Sequence, residues 1–208
     1  MIILQWIKFE SEAMRYEKGR KDVSRRRITT VAAERFRADG IAASGLTGIM
    51  SDAGLTNGAF YPHFQSKAEL VRESLAAALD DQSAQLRDAL ASGGFEAALA
   101  AYLSAAHRDD PATGCASAAL LPEVARQPIE TRDLYTQRLL GLAAQLAEAL
   151  PPQSPDQEDV VLGVFATLIG ALQLARAVSS RALSDRILAA AAEAARVLAQ
   201  PHPSGCDG

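Results

Sequence analysis

Residues 54–67 read GLTNGAFYPHFQSK, and the rest of the chain is organised around this stretch. It reads as a tight turn, a very short helix and the capped start of another helix. Just upstream, Leu46, Ile49, Met50 and Ala53 recur at helical spacing. Gly54 follows this run and can take the left-handed conformation that closes a helix. Thr56 can then cap the next helix through its hydroxyl. That helix is about two turns long, over roughly Asn57–His63. Phe60 and Phe64, four apart, can bury one edge. The other edge presents Asn57, Gly58, Ala59, Tyr61 and His63, which are small or polar. A helix too short to stand alone, greasy on one edge and hydrogen-bonding on the other, suits insertion into a groove. Ser66-Lys67-Ala68-Glu69 is a capping box that opens a longer helix. Lys67 in its first turn opposes the helix dipole, which points to a nearby anion such as a phosphate.

Two helices joined by a Gly-containing turn over about Leu46–His63 form a helix-turn-helix pattern. The run resembles the DNA-binding segment of the TetR (tetracycline-repressor-like) family, whose usual form is I-A-x-x-A-G-V-S-x-G-x-x-Y-x-H-F-x-x-K-x-x-L. Here it stands as Ile49-Met50, Ala53-Gly54-Leu55-Thr56, Gly58, Tyr61, His63-Phe64, Lys67 and Leu70. The resemblance covers about Arg20–Val71; beyond that only length and helical layout are similar. The residues expected at DNA are Ser44, Thr47, Thr56, Asn57, Gly58, Ala59, Tyr61, His63 and Lys67. Tyr61, His63 and Lys67 resemble the family's backbone-contacting positions. Base reading is expected of Thr47 and Asn57, with Ala59 against a thymine methyl, because Asn can pair bidentately with adenine. Pro62 is a departure: inside the recognition helix it deletes one backbone donor and crowds the previous turn, which puts the helix end in doubt.

Charge is divided along the chain. Residues 14–67 hold ten Lys/Arg against five acids, a balance of +5, whereas residues 68–208 hold ten Arg against eighteen acids, a balance of −8. The whole chain is −4. A basic N-terminal module is what phosphate backbones attract, although a solvated charge run is the bland alternative. With 208 residues, 49% of them hydrophobic, the chain can bury a core in one large or two small domains. Its two cysteines, Cys115 and Cys206, are too few for a disulfide framework and fit a reducing cytoplasm. The opening MIILQWIKF is too short to span a bilayer and lacks a signal-peptide pattern. Two readings of it stay open: the natural start is Met14, or the segment is an apolar arm that docks on the protein.

The spacing predicts an all-α chain of about nine helices. The first covers about Lys21–Ala38, with Ser44 as N-cap of the second. The fourth starts at Ser66 and breaks at Gly93-Gly94; a fifth runs from Phe95 to about His107. Another runs from Cys115 to Arg126, with Pro122 predicting a kink or break. Pro128 opens the next, which ends before Pro151-Pro152, and the last two cover about Gln157–Val178 and Ser184–Ala199. The tail PHPSGCDG is expected to be disordered.

The run VVLGVFATLIGALQLARAV at 160–178 is apolar nearly all round, so it is buried on every side. Two partners can bury it: a second copy, giving a four-helix dimer interface, or the chain's own core. The family resemblance implies the dimer. Val161, Phe165, Leu168, Leu172, Leu188 and Ala192 are the expected interface residues.

No catalytic constellation, Gly-rich phosphate loop or metal-spaced Cys/His cluster stands out, so neither a cofactor nor a metal is expected. His107 lies near Asp109 and Asp110, where a helix C-terminus favours a positive imidazole. Cys115 at a helix start either has a lowered thiol pKa and senses oxidants or electrophiles, or is a small core residue. Phe95, Tyr102, Cys115 and Phe165 either line an apolar pocket or fill the core.

The expected organisation is an N-terminal arm over 1–19, a helix-turn-helix domain over 20–67, an effector-binding and dimerisation domain over 68–200 and a tail over 201–208. The expected function is a cytoplasmic, homodimeric DNA-binding repressor on a palindromic double-stranded operator, with no membrane association. Its release by a small apolar or aromatic effector is implied by the family resemblance. Two alternatives remain: an effector-independent DNA-binding dimer and an all-helical enzyme.

Overall fold

The computed structural model describes residues 2–150 and 157–200, with side chains described at residue 19 and from residue 21 onward. The expectations for the tail 201–208 and for most of the loop PPQSPDQ lie outside the described residues. Among the described residues there are eight α-helices: α1 Ile2–Asp39, α2 Leu46–Asp52, α3 Lys67–Tyr102, α4 Ala105–Asp109, α5 Ala116–Val124, α6 Ile129–Ala149, α7 Gln157–Ala177 and α8 Arg181–Leu198. A single 3-10 turn, Asn57–Ala59, lies between α2 and α3. No strand occurs among the described residues, and α1 extends well N-terminal of the expected start at Lys21.

The short connections are set by glycine. Gly40 has φ +87 and closes α1, its N–H meeting the Phe36 carbonyl at 2.9 Å. Gly54 has φ +67 and ends α2 in a double bond pattern: Gly54 N–H to Ser51 O and Leu55 N–H to Met50 O, both 2.9 Å. That pattern is a Schellman cap, which needs a left-handed residue at this position. Ser66 Oγ accepts from Glu69 N–H at 3.1 Å and starts α3. The reciprocal arm of the box is shifted by one residue, since Glu69 reaches Gln65 N–H at 2.6 Å. At Gly94 the backbone takes φ +64, and α3 kinks there instead of continuing straight.

α1, α2, the 3-10 turn and the start of α3 share a core of Ile28, Phe36, Ile49, Met50, Phe60, Phe64 and Leu70, all fully buried. Phe60 and Phe64 stack with centroids 5.5 Å apart. The Arg25 guanidinium lies 4.3 Å above the Phe64 ring and pairs with Glu69 and Glu73 of α3. The apolar core continues into the second half through Leu75, Leu79, Leu120 and Val124.

α5 carries Pro122 inside it and ends two residues later. Proline has no N–H to give the carbonyl four residues back. That carbonyl, on Ala118, instead accepts from Gln173 Nε2 of α7 at 3.2 Å. Gln173, a polar side chain within the apolar run, thus answers the defect that Pro122 creates.

α7 and α8 pack on each other and on the core. Val161, Val164 and Leu172 of α7 have no exposed surface, and Leu188 and Ala195 of α8 are buried. This corrects the expected interface: Val161, Phe165, Leu168, Leu172 and Leu188 are all buried inside one protomer, and Ala192 is half-buried. The physical reason is angular. An all-apolar helix leaves the choice of inward stripe to its neighbours, and α6 and α8 take that stripe. The outward stripe carries Ala166, Leu174 and Ala177 on α7, with Leu183, Ala190 and Val197 on α8. Leu174 is 58% and Val197 64% exposed.

Candidate nucleic-acid interface and helical-domain cavity

The recognition element is shorter than its two expected turns. It is a 3-10 turn over Asn57–Ala59, a bend at Phe60 and a hydrogen-bonded turn over Tyr61–His63, and Pro62 has no N–H to extend the first turn. Ala59 N–H bonds to Thr56 O, Phe60 N–H to Asn57 O and His63 N–H to Phe60 O, at 2.9–3.1 Å. These bonds hold Phe60 inward and leave Asn57, Gly58 and Tyr61 outward, Tyr61 being 72% exposed. Across the turn, Asn57 Nδ2 donates to Thr47 Oγ1 of α2 at 2.9 Å. Both residues are exposed. An amide has two donors and an acceptor, so this bond orients Asn57 and leaves one N–H and the oxygen for a base edge.

Several expected contacts are placed differently. Ser44 is neither the N-cap of α2 nor available to DNA. The cap is Gly45, and Ser44 is buried with its hydroxyl donating to Gly40 O at 2.7 Å. Thr56 is exposed at the N-cap of the turn without a side-chain capping bond, because the 3-10 turn is too tight to offer its N–H. The Lys67 ammonium donates to Ile41 O at 2.7 Å, so a backbone carbonyl is the acceptor it already holds. Ala59 is half-buried. His63 is half-buried with Nδ1 enclosed and unpaired among the described residues. Burial first, then the charges of Lys21 and Arg25, push its pKa below the ordinary imidazole value. The shift favours the neutral imidazole.

Positive charge comes from α1. Lys21, Arg26 and Arg27 are exposed there and form no ion pair among the described residues. Arg27 was not singled out by the motif, yet its Nη2 lies 3.0 Å from where a Cβ on Gly54 would sit, beside the turn. Only its basic character was legible, since the contact joins residues 27 apart in sequence.

The second half holds a cavity of about 370 Å³ between α3, α4, α5, α6 and α7. Phe95, Tyr102, Cys115 and Phe165 all line it. Cys115 is the N-cap of α5, its sulfur accepting from Ala118 N–H at 3.4 Å. His107 is held on both ring nitrogens: Nε2 accepts from Cys115 N–H at 2.9 Å, and Nδ1 meets Tyr102 O at 2.6 Å. A nitrogen that accepts has no proton, so His107 is the neutral Nδ1–H tautomer. Burial lowers its pKa, against the expected positive imidazole at a helix end. Its ring also meets Tyr102 edge to face at 4.7 Å. Burial, and then the neighbouring Cys115 sulfur, raise the Tyr102 phenol well above its usual range.

The cavity floor is tied to the DNA-facing module. Arg37 of α1 donates to Ala112 O at 2.6 Å in the loop before α5. At the other end of α5, Glu123 accepts from the N–H groups of Ile41 and Ala42, in the loop before α2. These partners are more than seventy residues apart, and no local pattern announces them.

A helix-turn-helix beside a basic helix, joined to an all-helical body with a cavity, defines a DNA-binding transcriptional regulator. Residues 28–74 match the family model for bacterial regulatory proteins, tetR family. Solved structures share the whole fold. The reduced form of NemR from E. coli is 19% identical with a TM-score of 0.71, covering 87% of this chain and 99% of that one. A TetR-family transcriptional regulator from Cytophaga hutchinsonii is 19% identical with a TM-score of 0.72, covering 88% and 98%. The regulator FadR from Bacillus subtilis, in complex with stearoyl-CoA, is 16% identical with a TM-score of 0.58, covering 85% and 98%. No curated protein matches the chain in sequence.

Proposed function

We propose that this protein is a homodimeric repressor that binds a palindromic double-stranded operator in the cytoplasm and is released by a small molecule held in the helical-domain cavity. The oriented Thr47–Asn57 pair carries the reading: two exposed polar side chains, bonded to each other on the outer edge of a helix-turn-helix. Base contacts fall to Thr47 and Asn57, and phosphate contacts to Tyr61, His63 and the α1 cations. Residues 20–67 act as the DNA-binding domain and 68–200 as the effector-binding and dimerisation domain.

One recognition turn reads few base pairs, so a dimer is needed to read two half-sites. The exposed apolar stripe of Leu174, Leu183 and Val197 supports pairing through α7 and α8, one residue-face away from the stripe the core uses. The cavity favours an effector-responsive regulator over an effector-independent binder, because its wall is largely apolar with a few polar groups, as in small-molecule sites. The FadR structure holds a ligand in the same fold, which supports the reading without naming this chain's ligand. The test is a gel-shift titration on the DNA flanking the coding region, with and without small apolar compounds. Retarded DNA that is released by a compound supports the proposal. Binding that no compound alters supports the constitutive binder instead.

A further inference from the structure

Two polar atoms at the cavity wall lack strong partners. The Tyr102 hydroxyl and Gln82 Oε1 are both buried and both belong to lining residues; neither has an oxygen or nitrogen partner among the described residues, and only the weakly bonding Cys115 sulfur stands beside the Tyr102 hydroxyl. An unpaired buried polar group costs free energy that a ligand group can recover. The remaining wall is largely apolar, with Leu86, Leu99, Leu142, Phe95 and Phe165.

Charge narrows the ligand further. The cavity wall includes no Lys or Arg among the described residues. Arg37 and Arg176 stand outside the wall and each gives part of its donors to backbone carbonyls: one to Ala112 O from Arg37, and one each to Arg108 O and His107 O from Arg176. The one carboxylate in the wall, Asp110, accepts from Thr113 Oγ1 at 2.6 Å. In the wall itself an anion would meet Asp110 and no cation. His107 is neutral and held on both sides. Gln82, Gln85, Thr113 and Gly114 also border an adjoining cleft that carries Glu34, Asp81 and Asp88 together with Arg37, so a lipophilic cation is the strongest rival ligand.

We infer that the cavity takes an uncharged, mostly apolar molecule bearing a group that both donates and accepts, of the phenol or alcohol type, which pairs with the Tyr102 hydroxyl or Gln82 Oε1. This rests on the reading of the cavity as the effector site. A hydroxyl can accept from Tyr102 or donate to Gln82, so the one group type suits either orphan position. The volume, near the low end of the roughly 300–1,000 Å³ span of small-molecule pockets, suits a one- or two-ring ligand.

The test is calorimetric titration of the intact protein with four compounds of one ring shape: naphthalene, 2-naphthol, 2-naphthoate and 2-naphthylmethylammonium. The expected result is that 2-naphthol binds about tenfold tighter than naphthalene, the gain of one net hydrogen bond. Neither charged compound should match it. Tyr102→Phe or Gln82→Leu should pull the naphthol-to-naphthalene ratio toward one while naphthalene still binds, which shows the cavity intact. Tightest binding by the carboxylate or the ammonium would overturn the inference, as would a naphthol preference that survives both substitutions, or no binding by any of the four. No DNA is present, so failure here leaves the DNA-binding reading standing. Naphthol binding that leaves operator affinity unchanged would keep the ligand class and remove the effector role.

Discussion

Glu123 of α5 holds the loop between α1 and α2, its two carboxylate oxygens accepting from Ile41 N–H at 3.0 Å and from Ala42 N–H at 2.9 Å. The N-cap of the same helix is Cys115 in the cavity wall. One short helix thus touches the cavity at one end and the helix-turn-helix at the other. Glu123→Ala removes the acceptor and leaves two N–H groups for water. We expect a stability loss of about 1–2 kcal/mol, read by urea unfolding, because the site is only partly buried. We also expect DNA affinity to respond less to a bound cavity ligand, read by anisotropy with and without ligand. An unchanged ligand response would show that the signal takes another route.

His107 makes stability depend on pH. Its folded pKa lies below the ordinary 6.5, through burial and the Arg176 charge, opposed by the Tyr102 carbonyl and Asp110. A depressed imidazole binds fewer protons folded than unfolded, so stability rises with pH across that window. The contribution is complete above about 6.5 and is lost as pH falls through the lower folded value. His63 is shifted in the same direction, so the comparison is between the wild type and His107→Ala. Thermal unfolding from pH 5 to 8 should show a shallower slope in the variant. Equal slopes would mean that His107 is not held neutral.

The outward stripe of α7 and α8 carries the proposed dimer. Leu174→Arg and Val197→Arg change exposed positions, so each protomer should keep its helical signal while light scattering reports a monomer. The same change at Leu168 or Leu172 buries an unpaired charge in the protomer core at several kcal/mol, and should unfold the domain. A Leu174→Arg protein that stays dimeric would place the interface elsewhere.

Much of this was legible in the sequence. The Schellman cap at Gly54, the cap at Ser66 and the stacked Phe60 and Phe64 follow from local rules, and the structure has each of them. The kink at Gly93-Gly94 does too. What local reading cannot decide is which way an all-apolar helix turns, and Leu168 and Leu172 face the protomer core instead of the expected surface. Nor can it find partners far apart in the chain. Lys67 looked free for an anion until Ile41 O appeared beside it, and the Glu123 clamp and the tautomer of His107 both depend on tertiary contacts. Ser44 failed for a different reason: the αL turn at Gly40 rotates its hydroxyl back toward α1.

Phosphate and base contacts should separate by their salt behaviour. Arg27→Ala and Tyr61→Phe should weaken binding to all sequences alike, and Arg27→Ala should lower the salt slope by about one contact. Lys67→Ala should change the slope less, since its ammonium already serves Ile41 O. A Lys67 effect larger than that of Arg27 would reverse this assignment.

The central claim is that the Thr47–Asn57 edge reads sequence in DNA. The direct measurement is selection of binding sites from a random double-stranded pool by the purified protein, repeated with Asn57→Ala. The account expects an enriched inverted repeat whose half-sites lie about 34–36 Å apart, or a multiple of that spacing. It expects Asn57→Ala to relax one position in each half-site, at about 1–3 kcal/mol, with the rest of the repeat retained. An unenriched pool, or an identical repeat selected by Asn57→Ala, would contradict it.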